Sequence, residues 1–165
     1  MRALDELRAE HAVILSVLDA AGEARDEEGW ARLLYFIKQF VEAKHHGKEE
    51  RVLFPRMAAD PVLQGMAGVL HEDHERGAAL IAEIEQTLAR HADAPAIERV
   101  FSAYTHFLRQ HMERENEMIF EVAERTLDEG TVAEMLAEFA EIEAETGYDS
   151  ALANLRTSAM VTRRR

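Results

Sequence analysis

Residues 45–54 read HHGKEERVLF, and residues 111–120 read HMERENEMIF. Set on the first histidine of each, His45 falls on His111, Glu49 on Glu115, Leu53 on Ile119 and Phe54 on Phe120. Each copy is a histidine, a glutamate four residues on, and an apolar pair eight and nine residues on. In an α-helix, residues four apart lie about 40° apart around the axis and one turn apart along it. Each copy therefore presents an imidazole and a carboxylate to the same neighbour.

Two further segments pair in the same way, Leu7 to His11 (LRAEH) and Leu70 to His74 (LHEDH). Each has an apolar residue four before its histidine, an acid immediately before it (Glu10, Asp73) and an apolar residue seven beyond it (Leu18, Ile81). The histidine-only and histidine–glutamate segments alternate, with similar lengths of chain from His11 to His45 and from His74 to His111. The remainder of the chain reads as the frame for these four places.

Apolar residues recur at the three-and-four spacing of one buried helical face. The first helix carries Leu4, Leu7, Ile14, Leu15 and Leu18, with His11 inside the stripe. The charged run GEARDEEG, residues 22–29, is the first connection, and Trp30 opens a second helix with Leu33, Leu34, Ile37, Phe40 and Val41 leading to His45. Pro55 should end or kink it, because proline lacks a backbone donor and clashes with the preceding turn. Asp60-Pro61 is a suitable start for the third helix, whose stripe runs Leu63, Met66, Leu70, His74, Leu80 or Ile81, Ile84 and Leu88.

A break over His91 to Pro95 precedes a fourth stripe of Ile97, Phe101, Tyr104, Phe107 or Leu108, His111, Glu115, Met118, Ile119 and Val122. After the turn at Asp128–Gly130, residues Val132, Leu136, Phe139 and Ile142 predict a shorter fifth helix to about Glu145. From Gly147 the pattern weakens into a loose tail ending in Arg163, Arg164 and Arg165. No stretch alternates with a period of two, so no sheet is expected. The fold class is all-α: an antiparallel, up-down-up-down four-helix bundle over residues 1–128, followed by the C-terminal helix and basic tail of 129–165.

With 165 residues the chain can bury a real core as one domain. Its 19 basic and 32 acidic residues give a formal charge of −13, the wrong balance for a phosphate-binding surface, so no nucleic acid is expected as partner. There are no cysteines, which excludes disulfides, thiolate metal sites and cysteine nucleophiles. The amino terminus lacks the apolar core of a signal peptide, and no run approaches the ~20 apolar residues of a membrane span. A cytoplasmic protein with no membrane partner is the expectation. No H-E-x-x-H, phosphate-binding P-loop or G-x-S-x-G occurs, so metalloprotease, nucleotide and serine-hydrolase readings lack a motif.

A single histidine on an apolar stripe reads most simply as a core residue bonded to a neighbour. Six such residues, His11, His45, Glu49, His74, His111 and Glu115, one or two per helix and in two repeats, need another account. Buried carboxylates are normally paired or bound to metal, and no lysine or arginine is expected on the stripes at their level. Metal ions are the economical partners. Imidazole and carboxylate suit iron, manganese or zinc. Four histidines and two glutamates suit two metals, each with two histidines, with both glutamates bridging between them.

In these residues the chain resembles the hemerythrin-like proteins with the HHE cation-binding domain. The resemblance is carried by AEH at His11, HHGKEERVLFP around His45 and Glu49, EDHE at His74 and HMERE around His111 and Glu115, and it spans about residues 1 to 128. It implies an antiparallel four-helix bundle around a non-haem di-iron centre, two iron ions per chain with an oxo or hydroxo bridge, for which manganese or zinc are substitutes. It further implies that His11 and His45 serve one iron, His74 and His111 the other, and that Glu49 and Glu115 bridge. The four-residue spacing from His111 to Glu115 is nearer the bacterial and regulatory branches than the oxygen carriers, whose last histidine and carboxylate stand five apart.

His71, three residues before His74, is a candidate fifth ligand or outer partner. His46 with Glu50 repeats the four-residue spacing of His45 with Glu49, but only the latter pair keeps register with the second copy, leaving His46 as an additional candidate. His106 lies about 140° around its helix from His111 and His91 falls in a break, so neither is expected at the site. Glu42 and His45 form the E-x-x-H of ferritin-like bundles, but Leu108 stands where a second copy needs glutamate.

The function expected is binding or reduction of a small oxidant, namely dioxygen, peroxide or nitric oxide, by the metals. The alternatives are a module that senses iron or oxygen, or one that stores or delivers iron, without turnover. Association with a second copy through the fifth helix is compatible with the pattern, which does not decide it.

Overall fold

The computed structural model describes residues 3–21 and 26–146. Within them the chain is an all-helical bundle without strands. Its helices are α1 (Ala3–Ala21), α2 (residues 27–59), α3 (Gln64–Ala89), α4 (residues 94–126) and α5 (Glu129–Thr146). The loose tail expected from Gly147 and the run 22–25 lie outside the described residues.

Short acidic side chains set the helix starts. Asp26 accepts from the Gly29 backbone N–H at 2.7 Å, so α2 begins at Glu27 rather than at Trp30. Asp93 accepts from Ala96 at 3.0 Å with Pro95 in the first turn of α4, and Asp128 accepts from Thr131 at 2.9 Å at the start of α5. The expected start of α3 at Asp60-Pro61 is instead a tight turn. Asp60 binds the backbone N–H of Val62 at 2.8 Å, and the regular helix opens only at Gln64. α3 ends where His91 takes a left-handed φ of 50°, as the break at 91–95 anticipates.

Two stretches of α2 and one of α4 are π-helical: Ile37–His46, Glu49–Leu53 and Glu115–Ile119. In the last two, the N–H of Phe54 and of Phe120 reaches back to the carbonyl of Glu49 and of Glu115. Both glutamates of the repeat thus open a widened turn of the same length. Of the end or kink expected at Pro55, the end is corrected: the helix runs on to Ala59, with the proline just after the wider turn. The extra residue in the turn also moves the phase. Met118, expected inside, is 47 % exposed, while Ile119 is buried.

The apolar stripes build two cores. One gathers Ile14, Leu18, Trp30, Phe36, Phe40, Val41, Ile81, Ile84, Phe101, Tyr104 and Leu108 among others. The second gathers Leu4, Leu7, Leu53, Phe54, Leu63, Leu70, Ile119, Phe120, Met135, Phe139 and Ile142 among others. On each of α1 to α4 the chain passes from one core to the other through the histidine of the repeat. Leu7 and Ile14 flank His11, Val41 and Val52 flank His45 and Glu49, Leu70 and Ile81 flank His74, and Leu108 and Ile119 flank His111 and Glu115. The candidate site is therefore a polar belt sealed at both ends by hydrocarbon. No helix among the described residues is long and apolar enough to cross a membrane.

Ile81, not Leu80, is the buried member of the pair left open by the spacing. Ile81→Ala should cost about 2–5 kcal/mol of folding stability and Leu80→Ala distinctly less, measured by chemical denaturation; equal losses would contradict this phase of α3.

Candidate metal centre

The six residues singled out by the repeats converge in the belt. His11, His45, Glu49, His74, His111 and Glu115 are each at most 5 % exposed. Their donor atoms form two groups, His11 with His45, Glu49 and Glu115, and His46 with Glu49, His74 and His111, in each of which all donors lie within 4.8 Å of one another. Glu49 is common to both.

The carboxylates stand between the groups. Glu49 turns Oε1 to His45 Nε2 at 3.5 Å and Oε2 to His74 Nε2 at 3.3 Å. Glu115 turns Oε2 to His11 Nε2 at 3.3 Å and Oε1 to His111 Nε2 at 3.4 Å. Each glutamate thus gives one oxygen to either side. Among the described residues none of the four oxygens accepts a hydrogen bond, and neither His74 Nε2 nor His111 Nε2 has a hydrogen-bond partner. Buried polar atoms left in this condition are rare, and here they face one another.

The other ring nitrogens are held from outside. His45 Nδ1 donates to Glu10 Oε2 at 3.0 Å, His74 Nδ1 to Glu50 Oε1 at 2.8 Å and His11 Nδ1 to the amide oxygen of Asn116 at 2.9 Å. His111 Nδ1 faces Asp73 Oδ2 at 3.4 Å. A carboxylate only accepts, so Glu10 and Glu50 fix a proton on Nδ1 of His45 and His74, and Nε2 is the atom aimed inward. The Nε2 atoms of His11 and His45 face each other at 2.9 Å. With the unpartnered Glu49 and Glu115 oxygens beside them, these imidazole nitrogens form a donor set that fits metal ions.

Burial and the nearby His45 hold the His11 imidazole down at about 3, and burial holds His111 down at about 4, so both are neutral at pH 7. Burial also disfavours a charged His74, but Glu49 and Glu50 outweigh it and push this histidine up to about 9. Burial and the Glu49 carboxylate push Glu115 well above the ordinary carboxylate range, whereas His45 and His74 outweigh burial at Glu49 and pull it well below. The two carboxylates therefore differ, Glu115 favouring its neutral form and Glu49 its charged one, while His74 favours a second proton between its two acids. Metal ligation requires deprotonated donors, so a cation binding in this space would compete with those protons.

His46 joins the second group, 3 % exposed, with its ring against that of His74 at 3.9 Å. Spacing alone favoured His45 over its neighbour. The π-helical turns around it crowd consecutive residues onto the inner face, so that His45, His46, Lys48 and Glu49 are all buried. Glu42 stands 3.0 Å from His46 Nδ1 and so attends His46 rather than His45. His71, a candidate for ligation, is 65 % exposed at its side chain and lies outside both groups; His106 and His91 are also exposed.

The expectation of no lysine or arginine at this level is corrected as well. Lys48 is fully buried, and its Nζ donates to Glu6, Glu10 and Glu143. Its partners are outer acids, so Glu49 and Glu115 remain without a basic partner among their hydrogen bonds.

The family model described as the hemerythrin HHE cation binding domain matches residues 2–123. No curated protein and no solved structure matches the chain.

Because Glu115 holds its proton more tightly folded than unfolded, its contribution to stability is complete below the ordinary value of 4.5 and is lost as the pH rises above it. Metal-free Glu115→Gln should therefore match the parent protein at low pH and gain on it steadily as pH rises toward neutrality, in guanidinium denaturation of chelator-treated samples. A constant difference across pH would show that this carboxyl is not the neutral partner of the pair.

Proposed function

The chain belongs to the hemerythrin HHE cation-binding domain family, and on that premise we propose that it is a non-haem di-iron protein that binds or reduces a small oxidant, dioxygen, peroxide or nitric oxide. His11 and His45 would hold one iron, His74 and His111 the other with His46 as a further donor, and Glu49 and Glu115 would bridge. The observation that carries this reading is the paired carboxylates, each with one oxygen toward either group of histidines and none hydrogen-bonded. When bound, a pair of irons supplies reversible electron transfer and open positions for an exogenous ligand; manganese or zinc would fill the same donors without being equivalent in redox chemistry.

The protein's own part is to orient and to exclude water. Glu10, Glu50, Asn116 and Asp73 fix the rings from behind. Phe120 stacks on His11 at 5.6 Å and Phe107 on His111 at 6.1 Å, walling the belt with hydrocarbon. The side of His11 and His45 has two histidines and the side of His46, His74 and His111 three.

An up-down-up-down course belongs to the same reading. It is supported by the alternation of the cores, since one takes the beginnings of α1 and α3 and the ends of α2 and α4. So does a metal-binding unit of residues 1–128 with 129–165 as an appended segment. A cytoplasmic location, partners limited to small ligands without nucleic acid or membrane, and association with a second copy are part of the proposal too. The second reading, iron or oxygen sensing or iron storage and delivery without turnover, is favoured by the raised pKa of Glu115, which eases burial of that carboxyl without metal.

Untagged protein from iron-supplemented cells should hold about two irons per chain, and Glu49→Ala or Glu115→Ala should lose most of that iron while staying helical. No bound metal in the parent protein, or full loading of both variants, would overturn the proposal. Given two irons, sustained peroxide consumption separates turnover from sensing, and iron that passes readily to a chelator supports delivery.

A further inference from the structure

The repeat that sets the inner ring continues one layer outward. Glu10 precedes His11 in sequence but serves His45, and Asp73 precedes His74 but faces His111. Each acid meets a cation three residues beyond the histidine it serves, Glu10 meeting Lys48 at 2.6 Å and Asp73 meeting Arg114. The unit is thus an acid before one histidine, and a histidine, cation and glutamate in order on the next helix.

The two cations differ in their surroundings. Arg114 is 37 % exposed at its side chain. Lys48 is fully buried and gives its three N–H groups to Glu6 at 2.6 Å, Glu10 at 2.6 Å and Glu143 at 2.8 Å. Glu143 belongs to α5, which lies beyond the residues matched by the family model. One turn earlier, Phe139 of α5 sets its ring 5.3 Å from the same ammonium. Lys44 adds a second tie between the helices, reaching Glu143 at 2.8 Å and Glu10 at 3.5 Å. A buried ammonium is tolerated only when every proton has an acceptor, and α5 supplies one of the three.

We propose that Lys48, locked in place by Glu143 of α5, is the positioning residue for His45: it holds the Glu10 carboxylate where Glu10 accepts the hydrogen bond from Nδ1–H of that histidine, so that Nε2 is presented to the centre. The inference rests on the two-metal reading above. Without the ammonium, Glu6, Glu10 and Glu143 face one another with only Lys44 between them, and their repulsion moves Glu10 off the ring. The C-terminal helix therefore governs ligand presentation in the His11 and His45 half, while among the described residues the His74 and His111 half has no such lock.

The test uses the full chain, freed of metal and titrated with cobalt(II), whose visible spectrum reports each filled site. The parent protein takes up two cobalts; Lys48→Met, close in shape and uncharged, should keep one at unchanged affinity and bind the other about 10–100-fold more weakly. Glu143→Gln, which retains Lys48, should show a smaller loss in the same half. In metal-free samples the His45 Nδ1–H resonance should be protected from solvent exchange in the parent and lost in Lys48→Met, with the histidines of the other half unchanged. Equal weakening of both cobalts, or no weakening with the His45 resonance intact, overturns the proposal. If Lys48→Met does not fold, Glu143→Gln decides by the same two readouts. If the parent binds no cobalt, the two-metal reading falls, and the His45 resonance still tells whether Lys48 positions the ring.

Discussion

Burying Glu49 and Glu115 in the middle of the bundle, with no hydrogen bond to any of their four oxygens among the described residues, is the constraint on which the rest of the structure depends. Taking an ion out of water costs several kcal/mol even after the protein relaxes, a large share of the about 5–15 kcal/mol that keeps a domain folded. The two apolar cores on either side of the belt supply the driving force that keeps these groups inside. What offsets their charge can change. In the metal-free protein Glu115 favours its neutral form and His74 its charged one, and because metal ligands must be deprotonated, any cation binding here is coupled to proton release.

The helix geometry is adapted to that constraint. A regular α-helix keeps one narrow stripe facing the core, and α2 has to place two histidines, a lysine and a glutamate there within five residues. The π-helical turns of α2 widen the inner face enough to do so. Glu115 opens the matching turn in α4. Single widened turns of this kind are frequent at functional sites, and their recurrence at both glutamates marks them as part of the repeat.

Around the inner ring the protein builds a second, made of acids and cations, and there the two halves part company. Asp73 and Arg114 reach the surface, whereas Glu10 and Lys48 are covered by α5. A helix that could be taken for a simple appendage contributes Met135, Phe139 and Ile142 to one core and Glu143 to the buried charge network. The bundle's internal repeat is thus nearly symmetric in its candidate ligands and asymmetric in what holds them.

Much was legible from the residues alone, because helical periodicity and local spacing are properties of the chain itself. The spacing of His45 with Glu49 and of His111 with Glu115, the acids before His11 and His74, and the all-helical stripes all lie within single helices, and the structure brings them into one belt. Reading at 3.6 residues per turn fell short where the helix departs from that pitch: it left His46 a secondary candidate, set Met118 inside where it is exposed, and allowed an end at Pro55 where the helix runs on. Nor could spacing find the partners of Lys48, which lie 38 residues away at Glu10 and 95 away at Glu143. A lysine next to a charged run reads as a solvated one. The chain by itself determined which side chains each helix offers; only packing decided which of them meet, since a buried charge is stabilised by neighbours in space and these come from helices far apart in sequence.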